Sequence, residues 1–368
     1  LSDLDAEAIL FYETYKSQYC NFISVGLPWL NYFIKTFVGQ AHQCAGVAYA
    51  IVAWGGFYLE LQKPKCDFTR PWVYMQKAAK AMCEQLGPEL KLTKKKSLIP
   101  LFSFYLVFVG IEVCTGDVHN WRGFMNQCFD LIQLYNGPVS LSKAFDNCND
   151  IKFLLSNFCQ HDILSSRALT EGTFFPMSEY EAIVSASATY GLDPLHGIVG
   201  PVYFIFGHIG NHKAALDRQW EDVHQKLVKN HPEAETAREK YYDEVERVTN
   251  AINAKLNACK PSPVHLELLT EHPKVQDVQL GLFELYMYTC QMQLGMSIQK
   301  LPLNAVSQQR LLLKAQKLLD VLLDTPVKVS LSLLILVCGI LCCTERDRTR
   351  MTSVFRMHLN QYEIGNLQ

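Results

Sequence analysis

The sequence predicts an all-α fold: a large bundle of antiparallel helical pairs with no significant sheet. Three observations carry this expectation. Apolar residues recur at helical spacing through most of the 368 residues, while strand-like alternation is weak. Hydrophobic residues are 49% and charged residues 19%, so a chain of this length can bury an extensive core. Cap-forming Ser and Asp, together with Pro and Gly, punctuate the periodic stretches at intervals that suit helix ends.

In chain order, residues 4–25 form the first expected helix, capped by Ser2-Asp3, with Ile9, Leu10, Tyr12, Tyr15, Tyr19, Phe22 and Ile23 at helical spacing. Residues 43–61 form a second. It is rich in Ala and Gly, which allow close helix approach, so it should pack centrally. Residues 71–86 form a third, with Pro71 in the first turn. A fourth spans 98–114. The fifth follows Asp117 as its cap and carries Trp121, Met125, Cys128, Phe129 and Ile132 as its buried stripe. After a loop at Asn136-Gly137-Pro138, residues 150–169 make the sixth, ended by the turn Gly172-Thr173-Phe174-Phe175-Pro176. Residues 190–194 read as a turn in which Asp193-Pro194 opens the next element, and 201–228 hold one or two helices. Residues 233–259 form a charge-laced amphipathic helix. Helices over 276–301, 307–323 and 331–342 complete the pattern. The whole of 1–368 reads as a single domain, with Lys260-Pro261-Ser262-Pro263 as a candidate internal break.

The formal charge of −2 and the lack of a basic stripe argue against nucleic-acid binding by this chain. The basic run Lys91–Lys96 reads as a solvated loop. Thirteen scattered cysteines, many in apolar runs and none in a Cys-x-x-Cys pair, read as buried reduced thiols rather than disulfides or a zinc site. Residues 329–343 and 98–114 are apolar. The first is short of the ~20 residues a membrane-spanning helix needs, and the second contains Pro100 and Glu112, so both fit core helices better.

Catalytic signatures are missing: there is no nucleophile elbow, phosphate loop or dinucleotide fingerprint. His208 and His212 have zinc-protease spacing, but Ile209 stands where the general base belongs, so structural histidines are expected. Cys159 and His161 point about 200° apart on a helix and cannot act together. Asp117 reads as a cap, while Glu112 stays open between acid–base work beside Asp117 and partnering a buried cation or ligand. Polar residues in apolar settings make Tyr105, Val109, Glu112, Trp121, His161, Asp162, Ser165, Arg167 and Cys338 the candidate ligand-lining set. Two readings of His161, Asp162 and Arg167 stand side by side. In the one ranked first, they are hydrogen-bonded structural groups, with Asp162 anchoring a neighbouring helix terminus. In the other, Arg167 takes the carboxylate of a small zwitterion and an acidic group its amine.

One stretch carries a resemblance. His161-Asp162-Ile163-Leu164-Ser165-Ser166-Arg167-Ala168-Leu169 is followed by Gly172-Thr173-Phe174-Phe175-Pro176 and then by Tyr190-Gly191-Leu192-Asp193-Pro194-Leu195. Added to it, in order, are Phe11-Tyr12 with Tyr15-Lys16, the run Ala48 to Gly56, Gly116-Asp117 with Trp121, and Leu331 to Gly339 with Cys342 and Arg346-Asp347-Arg348. Together they resemble the regulatory domain of fungal zinc-cluster transcription factors, in the group of the GABA-responsive, arginine-pathway and lysine-pathway regulators. The family's last helix, with a Trp and an acidic residue, is not visible before Gln368.

The resemblance implies a domain that is not an enzyme, needs no cofactor, and holds no zinc itself. The zinc cluster, and with it DNA contact, is expected in a DNA-binding domain absent from this chain. A small amino-acid-like effector such as GABA, a homodimer, the transcription machinery, a nuclear location and no membrane are the further implications. A sterol effector and a ligand-free dimerisation scaffold are the alternatives.

Overall fold

The computed structural model describes residues 4–20, 31–62, 70–87, 95–116, 119–166, 171–185 and 195–362. Among them there is no strand, and the fold is all-α. The chain forms two compact units. One comprises Leu1–Cys159, Ala182–Leu195 and Arg356–Gln368, the other Gln160–Glu181 and His196–Phe355. The expected break at 260–263 lies inside the second.

In the first unit, α1 (Ala6–Thr14) is capped by Asp5, whose carboxylate accepts from the Ala8 amide at 2.9 Å. Asp5 also accepts the Tyr74 hydroxyl at 2.7 Å. The expected Ser2-Asp3 cap lies outside the described residues, and Asp5 takes the role because its side chain reaches the free amides of the first turn. The helix continues as a π turn, Tyr15–Tyr19. A second π turn, Phe33–Val38, leads into the short α2 (Gly39–Ala41).

The next helix, α3 (Ala45–Gln62), is the centre of this unit, as its small residues imply, and packs against α1, α4 (Arg70–Leu86) and α5 (Lys95–Thr115). Its residues from Gly46 to Leu59 are buried apart from Tyr49. A Cβ at Gly55 would overlap the carbonyl oxygen of Phe11, so glycine is what lets α1 lie against α3 at this distance. Trp54 packs against both Tyr15 and Tyr19, with ring centroids 5.2 and 4.8 Å away.

The basic run does not end as a loop: Lys95 and Lys96 begin α5, while Lys91–Lys94 lie outside the described residues. Pro100 sits early in α5, where few amide bonds are lost. The stretch Ser97–Thr115 is long and apolar enough to cross a membrane by composition, and most of it is buried inside the unit. Next come α6 (Trp121–Gln133) and α7 (Pro138–Ala144), the latter entered through Gly137 at φ 110°. Asn120, not Asp117, occupies the cap position of α6, and Asp117 lies outside the described residues. The first turns of α8 (Asn149–Ser166) close this unit, with the Thr36 hydroxyl donating to Asp150 at 2.8 Å and Phe153 against Phe33 and Phe37.

The boundary between the units falls within α8, α9 (Met177–Ser185) and α16 (Glu345–Tyr362). In the second unit, residues 201–228 belong to one unbroken helix, α10 (Gly200–Val228), despite Gly207 and Gly210. The loop 229–233 turns the chain back into α11 (Ala234–Ala258). Its charge pairs are Arg238–Glu235 and Arg247–Glu244, both i,i+3. Ser262 begins α12 (Pro263–Leu268), and its amide donates to Ile198 at 3.5 Å.

A second helical pair, α13 (Pro273–Ser297) and α14 (Val306–Leu322), buries Leu282, Leu285, Cys290, Leu312 and Leu319. The apolar stretch 329–343 is a 3-10 turn, Pro326–Leu331, followed by a short helix, α15 (Ser332–Ile340), whose Leu334, Ile335, Val337 and Cys338 are buried. Gln309 donates to the Leu341 carbonyl at 2.9 Å and Arg350 pairs with Asp320, which ties the chain end to α14.

Glycine at 55 and at 123 should respond oppositely to a methyl group. Gly55→Ala should destabilise the protein by about 1–3 kcal/mol by overpacking. Gly123→Ala, where nothing lies within 4 Å of the new Cβ, should stabilise by about 0.5–1 kcal/mol through helix propensity. Thermal unfolding of the two variants reads both signs.

Candidate functional site

The residues proposed from sequence are distributed over both units. Tyr105, Glu112 and Trp121 belong to the first unit, and His161, Asp162, Ser165 and Cys338 to the second. Arg167 lies outside the described residues, as do residues 190–194. Glu112 is buried and accepts from the Asn120 amide at 3.1 Å and the Asn120 side chain at 3.3 Å. Its carboxylate therefore closes the start of α6, immediately before half-buried Trp121. Tyr105 is half-buried against Phe104, and burial raises its hydroxyl pKa. Cys338 is a core thiol pushed up to about 12 by burial. Cys20 and Cys114 are held at about 12 by the same cause, so none is a ready nucleophile.

The signature segment is organised around Asp162. This carboxylate is fully buried at the end of α8 and receives the Phe174 amide at 3.0 and 2.9 Å. The Tyr180 hydroxyl, from α9, donates to the same group. The Ser165 hydroxyl turns back to the Asp162 carbonyl at 2.9 Å. A buried carboxylate needs donors, and the Gly-Thr-Phe-Phe-Pro turn supplies a backbone amide in the right place. Asp162 thus anchors the turn and the helix after it. His161, one residue earlier, is partly buried, and desolvation pushes its imidazole down to about 4.

Helix α10 supplies the opposite wall. Asn211 accepts from the Thr173 amide at 2.7 Å and donates to the Thr173 hydroxyl at 2.8 Å. A Cβ at Gly207 would overlap the Met177 sulfur, so α9 can enter only because that side chain is missing. Five residues along the same helix, His212 is half-buried. On the α9 side, Glu181 meets the His208 Nε2 at 2.7 Å and the Lys255 Nζ at 3.8 Å. The hydrogen bond with His208 is the largest cause of Glu181's lowered pKa. His212 is lowered first by burial and then by the charges of His208, Arg247 and Lys255, against Glu244.

Sequence reasoning found His208 and His212 but not Glu181, Asn211, Tyr180 or Lys255. One signal was available: His208, Asn211 and His212 share one edge of an otherwise apolar helical run, opposite the apolar stripe that ends at Phe206 and Ile209. The partner residues carry no such mark, because they come from α9 and α11.

Comparison with known proteins identifies the class. Residues 10–368 match the family model described as the fungal specific transcription factor domain, and the chain belongs to that family. It is 25% identical over 346 residues, 92% of its length, to an uncharacterized transcriptional regulatory protein of Schizosaccharomyces pombe. It is 24% identical over 406 residues, 99% of its length, to the transcriptional activator protein UGA3 of Saccharomyces cerevisiae. The chain spans 60% of the first relative and 72% of the second. No solved structure matches. Both relatives are described as transcriptional regulators.

Two measurements test the roles of the paired residues. Asp162→Ala should cost about 2–4 kcal/mol of stability, since it leaves the Phe174 amide and Tyr180 hydroxyl buried without their acceptor. Faster hydrogen exchange at Phe174 than elsewhere in the second unit would accompany it. His161 binds its proton less readily folded than unfolded, so stability should fall as pH drops from the usual imidazole value of 6.5 toward 4. His161→Asn should flatten that slope in denaturation curves taken across this window.

Proposed function

We propose that this chain is the effector-sensing regulatory region of a fungal zinc-cluster transcriptional activator, responding to a small amino-acid-like nitrogen metabolite of the GABA kind. The observation that carries the reading is the family match over residues 10–368, joined to 24% identity with a transcriptional activator over 99% of the chain. The physical chemistry of the described residues agrees with binding rather than turnover. The buried thiols are raised in pKa, and Asp162 and Glu112 are engaged in holding backbone amides. In this reading the protein works in the nucleus as a homodimer and recruits the transcription machinery. It contacts DNA through a zinc-cluster domain outside this chain.

Small molecules that bind only the native state raise apparent stability by mass action, by about 2.7 kcal/mol at a hundred times the dissociation constant. A thermal-shift series on the purified chain with GABA, arginine, lysine and ergosterol should show a saturable rise with one zwitterion. A rise with ergosterol alone would replace the amino-acid reading by a sterol one. No rise with any of them would leave a ligand-free scaffold.

A further inference from the structure

Helix α16 opens with three closely spaced arginines, Arg346, Arg348 and Arg350, which take no part in the segment held by Asp162. Apolar side chains hold the helix down. Met351 and Val354 are buried, and Phe355 lies over Gly339 of α15, where an added Cβ would come within 3.1 Å of its ring. Two of the arginines make polar attachments. Arg348 Nε donates to the Cys342 carbonyl at 3.1 Å. Arg350 donates to the side-chain oxygen of Gln316 at 3.2 Å and to its carbonyl at 3.4 Å, and pairs with Asp320. The two side chains of that ion pair are 38% and 57% exposed, so water competes for both and the pair opens readily.

Ser353 stands on the open side of the same helix. It follows Arg350 by three residues and Arg348 by five, and the apolar Val354 comes next. Protein kinases of the arginine-directed kind bind an extended segment of their substrate. Their carboxylates take guanidinium groups three and five residues before the serine, where the planar fork of arginine gives two parallel hydrogen bonds. Thr349 and Thr352 are also exposed on α16 but do not fit. Thr349 has Thr344 five residues before it, and Thr352 has Thr349 three before it.

The spacing that suits an extended segment in a kinase also decides what the product does in the helix. Residues three apart are neighbours on a helix surface, so a phosphate on Ser353 lies beside Arg350. The phosphate carries nearly two negative charges and three strong acceptor oxygens, against the single charge of Asp320. Arg350 therefore turns from Asp320 and Gln316 to the phosphate, and the polar tie between α14 and α16 is lost.

We propose that Ser353 is a phosphorylation site for an arginine-directed protein kinase, and that its phosphate draws Arg350 off Asp320 and loosens α16 from α14. In the transfer, Ser353 Oγ forms a bond to the γ-phosphorus of a nucleoside triphosphate. The bond from that phosphorus to the bridging oxygen breaks, the nucleoside diphosphate leaves, and the hydroxyl proton passes to the kinase's base. Asp320 acts as the gate. Before the transfer it competes with the kinase for Arg350, and afterwards it competes with the phosphate.

The test is incubation of the whole chain with magnesium ATP and a kinase that requires arginine three and five residues before its serine, with the site mapped by mass spectrometry. Ser353 should be labelled in the wild-type chain, and Ser353→Ala should take up no phosphate. Arg350→Lys should slow labelling about tenfold, since an ammonium cannot replace the bidentate fork. Asp320→Asn should speed it about threefold by freeing Arg350 from an exposed pair. Hydrogen exchange then reads the consequence. Amides in 345–355 should exchange about threefold faster after phosphorylation, and Arg350→Gln without phosphate should show the same increase. Ser353, Asp320 and Arg350 all reach solvent, and unchanged circular dichroism in each variant certifies the fold.

Phosphate found on Thr349 or Thr352 in place of Ser353 would overturn the site, as would no labelling of either the wild-type chain or Asp320→Asn. Labelling that is indifferent to Asp320→Asn would overturn the gate. Exchange that is unchanged in the phosphorylated chain would overturn the loosening of α16.

Discussion

A carboxylate without water must be surrounded by donors, and in the second unit Asp162 imposes that requirement on everything near it. Its oxygens take the Phe174 amide and the Tyr180 hydroxyl, so the chain leaving α8 is bent into a turn that delivers an amide and then into α9 at a set angle. That placement brings Thr173 to Asn211 and Glu181 to His208. It also requires the missing side chain at Gly207, where Met177 passes over α10. This segment is therefore a physical device: one buried charge, one turn, and a helix face shaped to receive them.

The first unit depends on a different constraint, close approach rather than charge. Helix α3 is surrounded by α1, α4 and α5, and its glycines replace side chains where neighbouring backbone arrives. Tyr15, Tyr19 and Trp54 then pack on one another beside that contact, both tyrosines lying on the π turn. Dispersion and apolar burial supply the attraction, and the missing methyl groups set the distance.

Much of the architecture was legible in the sequence. The period of apolar residues located the long helices, because burial of one face demands it. The density of Ala and Gly in residues 43–61 announced the central helix. Caps were less legible. Asp5 rather than Ser2-Asp3 closes α1, and Asn120 occupies the start of α6, because any Ser, Asp or Asn within a few residues can serve and geometry makes the choice. Likewise α10 is continuous through Gly207 and Gly210, because packing against α8 and α9 outweighs the propensity cost of glycine.

Function divides along the same line. By itself the sequence determined the helical class, the burial of most of the described thiols though not of the exposed Cys83, and the order of motifs that resembles a fungal transcription-factor regulatory domain. The first two follow from local composition and spacing, and the last is a resemblance. Only the tertiary structure decided that Glu112 and Asp162 serve backbone amides, and that Glu181, His208, His212, Arg247 and Lys255 form one mixed-charge cluster. Those groups come from three successive helices. Whether two side chains meet depends on how helices cross, and no spacing along a single helix encodes that.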